Sequence, residues 1–259
     1  MSSITMTSPP VVDVLTEKPR ISSIDMLRGI VMVIMALDHS RDFYHLGALT
    51  SDPTNMQTTT PVLFFTRWIT HFCAPAFVFL AGTSIHISAQ RKSKKDLSMF
   101  LLTRGLWLIV LEAVVVRFGL FFNFYYDLTV FQVIWAIGAA MVCMAALIHL
   151  TDNWILGIGL FITFGHNATD GLRLETGDPM FPIWAMLRQT GFMSLSADSN
   201  LMVMYPLLPW LGIMMLGYAL GRLYRKDFDP RKRQKLLITW GLATIGLFVL
   251  IRATNLYGD

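Results

Sequence analysis

Long runs of apolar residues alternate with short polar segments along this chain. The runs are continuous and lack the period-two alternation of membrane β-strands, so helices are the spanning element they favour. A helix rises about 1.5 Å per residue, and about 20 residues cross a hydrocarbon core of roughly 30 Å. The pattern predicts about seven spans, near residues 26–46, 62–88, 98–121, 129–150, 153–166 with its continuation, 201–222 and 236–256. The fifth of these runs, 153–166, is the shortest.

Composition supports a membrane protein. Hydrophobic residues make up 54% of the 259 positions and charged residues 15%, below the roughly 25% of ordinary soluble domains. The predicted fold is an all-α, polytopic membrane helical bundle. Residues 1–22 lack the apolar core of a signal peptide and are predicted to be a flexible cytoplasmic tail, so the transmembrane domain covers 23–259. No basic face interleaved with aromatic residues indicates nucleic-acid binding.

Basic residues predict the orientation of the bundle. Three segments, at 18–20, 91–95 and 222–235, hold 13 of the 21 Lys and Arg residues. The intervening segments hold almost none, and the long one from 165 to 200 contains only Arg173 and Arg188. By the positive-inside rule, the N-terminus is cytoplasmic and residues 165–200 face outward.

The first span, SIDMLRGIVMVIMALDHSRDF, carries charged residues at both ends. His39 lies about 20° round the helix from Arg28 and about 16 Å further along it, so the two share one face. Asp25 and Asp42 fall on the same side. Ionisable residues inside a span are costly and usually line a functional path, although Arg28 could also extend to the interface and His39 could pack against a neighbour.

The second span contains His71 at a depth similar to that of His39. Pro75 cannot donate a backbone hydrogen bond and therefore frees the carbonyl of His71, which predicts a kink. Gly82 and its small neighbours predict close approach of another helix. His71 could border the same cavity as His39 or be a core histidine satisfied by the loosened backbone.

Five segments of this chain resemble the heparan-alpha-glucosaminide N-acetyltransferase catalytic-domain family: IDMLRGIVMVIMALDH, HFCAPAFVFLAGTS, GHNATDGL, YPLLPWLGIMMLGYALG and RATNLYGD. The spacing from Arg28 to His39 is similar to that of the broader transmembrane acyltransferase superfamily. The resemblance implies an acyltransferase that moves an acetyl group from cytosolic acyl-CoA to an amino sugar or saccharide across the membrane. Acetyl-CoA is then a co-substrate, and no bound cofactor or metal is expected.

The resemblance also implies roles for individual residues. His39 matches the catalytic histidine of the superfamily. Some members of the amino-sugar branch have asparagine there and a histidine further along, so His45 or His71 could share or take the role. Asp42, at i+3, could orient His39. The remaining expectations are acyl-CoA contacts from Arg28 and Asp25, and acceptor contacts from Gln132, His166, Asn167, Asp170, Tyr205 and Trp210.

Two other functions remain compatible with the sequence. Histidines and carboxylates within spans also form proton relays, as in a proton-coupled transporter. A noncatalytic scaffold or a truncated remnant is the third interpretation, because family members usually continue with several more helices. If the source is bacterial, the protein is expected in the inner membrane. The sequence leaves open whether the protein forms a homo-oligomer.

Overall fold

The computed structural model describes residues 21–45 and 52–254. Ten α-helices, one π-helical turn and two 3-10 turns account for most of these residues. The α-helices are α1 (Ser22–Tyr44), α2 (Pro61–Thr70), α3 (Cys73–Ala89), α4 (Lys94–Leu111), α5 (Arg117–Phe121), α6 (Val133–Leu147), α7 (Asp152–Gly165), α8 (Phe181–Leu187), α9 (Leu207–Leu220) and α10 (Pro230–Thr254). The π-helical turn Glu112–Val116 joins α4 to α5, and the 3-10 turns are His166–Thr169 and Gly221–Tyr224.

A small sheet corrects the all-α prediction. Its strands are β1 (Leu128–Phe131), β2 (Gly191–Ser196) and β3 (Ser199–Val203), in the order β1-β3-β2. Strand β1 runs parallel to β3, whereas β2 and β3 are antiparallel. The predicted spans 129–150 and 201–222 each begin inside one of these strands, because a short apolar run has the same appearance in a buried strand and in a helix.

Four segments among the described residues are long and apolar enough to cross a membrane, so the predicted number of seven is not confirmed. They are Pro61–Ala89, Lys94–Phe121, Leu207–Tyr224 and Pro230–Thr254. Helix α1 has 23 residues but carries five charged side chains, and α6 and α7 have only 15 and 14 residues. The two short helices reach about 21–23 Å, less than the hydrocarbon thickness of roughly 30 Å.

The helix is interrupted close to the position where Pro75 predicts a kink. Helix α2 ends at Thr70 and α3 begins at Cys73, with a two-residue turn between them. Proline has no N–H to donate to the carbonyl of His71, which accounts for the interruption of the regular helical bonds at this point.

The core lies where α3, α4, α6, α7 and α9 pack together, with Met144, Met214 and Val78 fully buried. Glycine permits the closest contact. A Cβ on Gly82 would lie 2.0 Å from the carbonyl oxygen of Met214, and one on Gly217 would lie 2.0 Å from that of Phe79. The predicted close approach at Gly82 is therefore confirmed, and its neighbour is α9. Helix α10, in contrast, has no buried residue.

The loops gather at two ends of the bundle. Lys94 donates to the carbonyl of His149 at 3.2 Å, and Arg222 donates to the side chain of Asn153 at 2.9 Å. The basic segments 91–95 and 222–235 therefore lie at one end, which we call the basic end. The sheet and the His166–Thr169 turn form the opposite sheet end. Residues 1–20 of the predicted tail lie outside the described residues. Helix α1 begins at Ser22, which is the last residue of the predicted 1–22 tail.

Candidate functional site

Asp38 joins α1 to α2 near the sheet end. Its carboxylate accepts hydrogen bonds from Arg67 Nη1 and from Thr70 Oγ1, each at 2.9 Å. Arg41, one turn along α1, adds a third contact at 3.1 Å. The Asp38 side chain is only 17% exposed, and Thr70 is buried. We call these four residues the Asp38 cluster.

No sequence pattern singled out the Asp38 cluster. The available signal was weak: Asp38 and Arg41 are three residues apart on one helix, and Arg67 and Thr70 have the same spacing on the next. Only the packing of α1 on α2 brings the two pairs together. Arg41 is nearly buried, and its Nε and Nη1 atoms have no hydrogen-bond partner in the described part of the chain.

The predicted catalytic residues lie around this cluster. His39 and His71 are both exposed, and they follow Asp38 and Thr70 directly, so the contact between those two residues sets the histidines at one level of the bundle. No contact between the two histidine rings is found among the described residues. The carboxylate of Asp42 lies 2.5 Å from Arg41 Nη2, which is the partner it has in place of His39. His45 directly follows Tyr44 as the C-cap residue of α1 and is exposed.

His71 has a defined ring orientation. Its Nδ1 lies 2.7 Å from the carbonyl oxygen of Arg67. A carbonyl only accepts hydrogen bonds, so Nδ1 must carry the proton in this contact. The neutral ring then has a lone pair on Nε2, which is the tautomer that a general base requires.

A second group of residues forms a cavity of about 440 Å³ between α1, α3, α4 and α6. Two guanidinium groups line it, from Arg28 and Arg104, together with Ser84 and Ser88. The other lining residues are mostly apolar, including Phe100. We call this space the arginine cavity. It extends from Ser88, one residue before the end of α3 at the basic end, toward the middle of the bundle.

Arg28 is held at the wall of the arginine cavity by α3. It donates to Ser84 Oγ and, at 3.4 Å, to the carbonyl oxygen of Leu80. Asp25 lies one turn earlier on α1, 3.8 Å from Arg28, and both side chains are partly exposed. Arg104, on α4, supplies the second guanidinium group that lines the cavity.

Gln132 lies where β1 passes into α6. Its backbone N–H donates to Glu112 Oε1 at 3.1 Å, and the N–H of Trp135 donates to Glu112 Oε2 at 2.7 Å. Glu112 is fully buried at the start of the π-helical turn and compensates the free N–H groups of the α6 N-terminus. No side-chain cap bond from Gln132 is present. The N-terminus of α6 is therefore capped by a carboxylate of the protein itself, that of Glu112.

Tyr205 and Trp210 form an aromatic pair at the sheet end, with ring centroids 5.0 Å apart and planes tilted by 34°. Burial raises the pKa of the Tyr205 hydroxyl, and the positive charge of Arg67 partly opposes that effect. The electrostatic influence of Arg67, Asp38 and Asp42 on Tyr205 indicates that this pair lies near the Asp38 cluster. Because burial raises its pKa, the Tyr205 hydroxyl is neutral at physiological pH.

The predicted acceptor residues in the outer loop belong to one network. Arg188 donates from Nε to the carbonyl of His166 at 3.0 Å and to Thr169 Oγ1 at 2.6 Å, and it pairs with Asp170. The His166 ring bonds to backbone carbonyls of α7, and Asn167 is half-buried in the same 3-10 turn. Asp170 lines a polar cavity of about 310 Å³, which we call the outer cavity and which is also lined by Thr169, Leu172, Arg173, Arg188, Gln189, Thr190 and Pro206.

The outer cavity and the Asp38 cluster are linked along the chain, because Pro206 follows Tyr205. The arrangement therefore provides a cationic cavity toward the basic end, histidines beside a fixed carboxylate near the sheet end, and a polar cavity in the outer loop. No group of three or more His, Cys, Asp or Glu residues that could hold a metal ion occurs in the described residues.

Comparison with known proteins gives one family. No curated protein and no solved structure matches the chain significantly. A family model described as heparan-alpha-glucosaminide N-acetyltransferase, catalytic, matches residues 20–251, which is most of the chain. Together with the four apolar helices, this match makes the chain an integral membrane protein with an acetyltransferase-type domain. The chain belongs to the heparan-alpha-glucosaminide N-acetyltransferase catalytic-domain family.

Proposed function

We propose that this protein transfers an acetyl group from acyl-CoA, bound toward the basic end, to an amino sugar or saccharide bound at the sheet end, with His39 as the general base. The observation that carries the proposal is the arginine cavity, because it gives a family member a cationic cavity on the side where an anionic donor would arrive. By the positive-inside rule, the basic end is the cytoplasmic one.

Charge and shape support the donor assignment. Acyl-CoA carries phosphate groups joined to a long flexible arm that ends in the thioester. Arg28 and Arg104 offer charge-assisted donors for phosphate or carbonyl oxygens, and the basic segment 91–95 adds long-range attraction. The apolar part of the lining, from α4 and α6, suits the arm. Asp25 would keep Arg28 oriented when the cavity is empty.

The acceptor assignment is supported by the sheet end. The Tyr205–Trp210 pair offers an aromatic face and a neutral hydroxyl. The outer cavity is lined by Asp170, and Asn167 and His166 lie nearby in the 3-10 turn. Sugars bind through such combinations of aromatic faces and hydrogen-bonding groups. Gln132 would contribute through its side chain, which has no bond within α6.

His39 would act between these two groups of residues. Its ring would remove a proton from the acceptor amine or hydroxyl as the acceptor nitrogen or oxygen bonds to the acetyl carbon. The carbon–sulfur bond of the thioester then breaks, and the thiolate of CoA takes the proton. Asp38 supports this role by fixing the end of α1 against α2. His71, whose neutral ring would carry its lone pair on Nε2 because Nδ1 contacts the carbonyl of Arg67, is the alternative base.

Acetyl transfer by the purified protein tests the proposal directly. Protein in liposomes would receive acetyl-CoA on the basic side and glucosamine on the other, and acetylated sugar would be measured by mass spectrometry. We expect product only when both substrates are present. Movement of glucosamine across the membrane without acetyl-CoA, together with no acetylated product, would show that the protein is a transporter and not a transferase.

A further inference from the structure

A long apolar groove lies on the opposite side of α3 from the arginine cavity. It has a volume of about 570 Å³ and runs between α1, α3, α9 and α10. Leu27, Ala76, Phe79, Ile213 and Leu237 are among its lining residues. None of its lining residues is charged, and it shares no lining residue with the arginine cavity. We call it the apolar groove.

The groove has the length of one leaflet of a bilayer. Its wall on α3 extends from Thr83, toward the basic end, to Phe72, at the break between α2 and α3. Eleven residues at about 1.5 Å each span about 16 Å. Half of a hydrocarbon core of roughly 30 Å is about 15 Å. A single acyl chain of the leaflet at the basic end therefore fits along the groove.

The polar end of the groove carries a positive charge. Ser23 and Tyr224 line it there, and the guanidinium of Arg233 lies 5.3 Å from the centroid of the Tyr224 ring. Arg233 is half-buried, whereas the adjacent Lys232 is exposed. Between residues 222 and 235 the chain has seven Lys and Arg residues against two Asp residues. A groove that is apolar along its length and cationic at its mouth matches an anionic amphiphile.

We propose that the apolar groove binds an anionic phospholipid from the leaflet at the basic end, with one acyl chain between α1, α3 and α9 and the phosphate beside Arg233. The lipid would also cover the inner face of α10, which has no buried residue of its own. This site is separate from acetyl transfer, because α3 divides the groove from the arginine cavity and neither Arg28 nor Arg104 lines it.

Native mass spectrometry of the purified protein tests the charge. Protein would be equilibrated in detergent micelles that contain equal amounts of phosphatidylglycerol and phosphatidylcholine, and the bound lipids would be counted. We expect the wild-type protein to retain phosphatidylglycerol preferentially. Arg233→Gln should reduce that preference about five-fold, the effect of one basic residue near an anionic surface. Lys232→Gln removes the same charge from an exposed position and should leave it nearly unchanged.

A second pair of variants tests the groove itself. Ala76→Phe fills the groove, and Ala243→Phe adds the same ring to the exposed surface of α10. Ala76→Phe should abolish retention of both lipids, whereas the Ala243→Phe protein should still retain them. Equal phosphatidylglycerol binding by Arg233→Gln and wild type would overturn the proposal, as would displacement of the lipid by a second copy of the chain in a stable dimer. If Ala76→Phe fails to fold, the Arg233 and Lys232 pair still decides the question.

Discussion

Asp38 has three cationic or hydroxyl donors around one partly exposed carboxylate, and two of them come from another helix. Removing its charge would leave Arg41 and Arg67 without their shared anion. Arg41 would be the more affected of the two, because its side chain is nearly buried.

Asp38→Asn should therefore lower the thermal stability of the purified protein. The cluster is partly exposed, so we expect a loss of about 1–3 kcal/mol, less than the 3–5 kcal/mol typical of a broken, fully buried pair. Thermal unfolding in detergent measures the change. Asp42→Asn is the matched control, since its carboxylate is exposed and pairs, among the described residues, with Arg41. Equal melting temperatures for the two variants would argue against a central role for Asp38.

Arg28 is expected to act on donor binding. Arg28→Ala should raise the KM for acyl-CoA about ten-fold to a hundred-fold, because a charge-assisted contact contributes about 1.5–3 kcal/mol. Arg28→Lys should recover only part of the affinity, since lysine has no planar fork for Ser84 and a phosphate together. Arg173→Ala, which removes an arginine from the outer cavity, should leave this KM unchanged. Unaltered acyl-CoA dependence in Arg28→Ala would make Arg28 structural.

His39 is expected to determine the chemical step. His39→Ala should reduce kcat about 10²- to 10⁴-fold with acyl-CoA binding retained, which is the usual contribution of general acid–base catalysis. His71→Ala should have a smaller effect if His71 only positions the acceptor. The opposite order of effects, measured as rates of acetyl transfer, would assign the base to His71, whose Nδ1 contacts the carbonyl of Arg67 and leaves Nε2 available for this role.

At the scale of elements, the packing of α3 on α9 depends on glycine. Gly82 and Gly217 lie on the two facing helices, and each touches the backbone of the other helix. Neither position has room for a methyl group without moving a helix. The break at residues 71–72 then sets the direction of α2 relative to α3, and with it the position of Arg67 and Thr70 beside α1.

Gly217→Ala should consequently destabilise the bundle by about 1–3 kcal/mol, the cost of overpacking a well-packed contact. The added Cβ would lie 2.0 Å from the carbonyl oxygen of Phe79, which is backbone and cannot rotate away. Gly157→Ala, on α7, is the control, because a Cβ there meets nothing within 4 Å. Thermal unfolding of the two variants should differ clearly, and a Gly217→Ala protein as stable as the control would mean that α3 and α9 can separate.

At the scale of the whole molecule, the basic end and the sheet end should face opposite sides of the membrane. Ser93→Cys, between α3 and α4, should react with a membrane-impermeant thiol reagent only from the cytoplasmic side. Thr176→Cys, in the outer loop, should react only from outside. Cys73 and Cys143 would be replaced by alanine to remove background. Labelling of Ser93→Cys from outside would reverse the direction proposed for acetyl transfer.

The sequence by itself determined the features that depend on local chemistry. Four of the seven predicted apolar runs correspond to the long membrane helices, Pro75 predicted a disturbance of the helix at His71, and Gly82 predicted a close helix contact. The motifs around Arg28 and His39 identified the family. Each of these follows from hydrophobicity, backbone geometry or residue identity within one short segment.

Only the tertiary structure decided which distant residues meet. Strands β1 and β3 pair across more than 70 residues, and no local pattern distinguishes their apolar runs from the start of a helix. Asp38 meets Thr70, Arg28 meets Ser84, and Arg104 completes the cavity only because α1, α2, α3 and α4 pack at particular rotations. Contacts of this kind depend on helix rotation and crossing geometry, which many sequences with the same hydrophobic pattern would set differently.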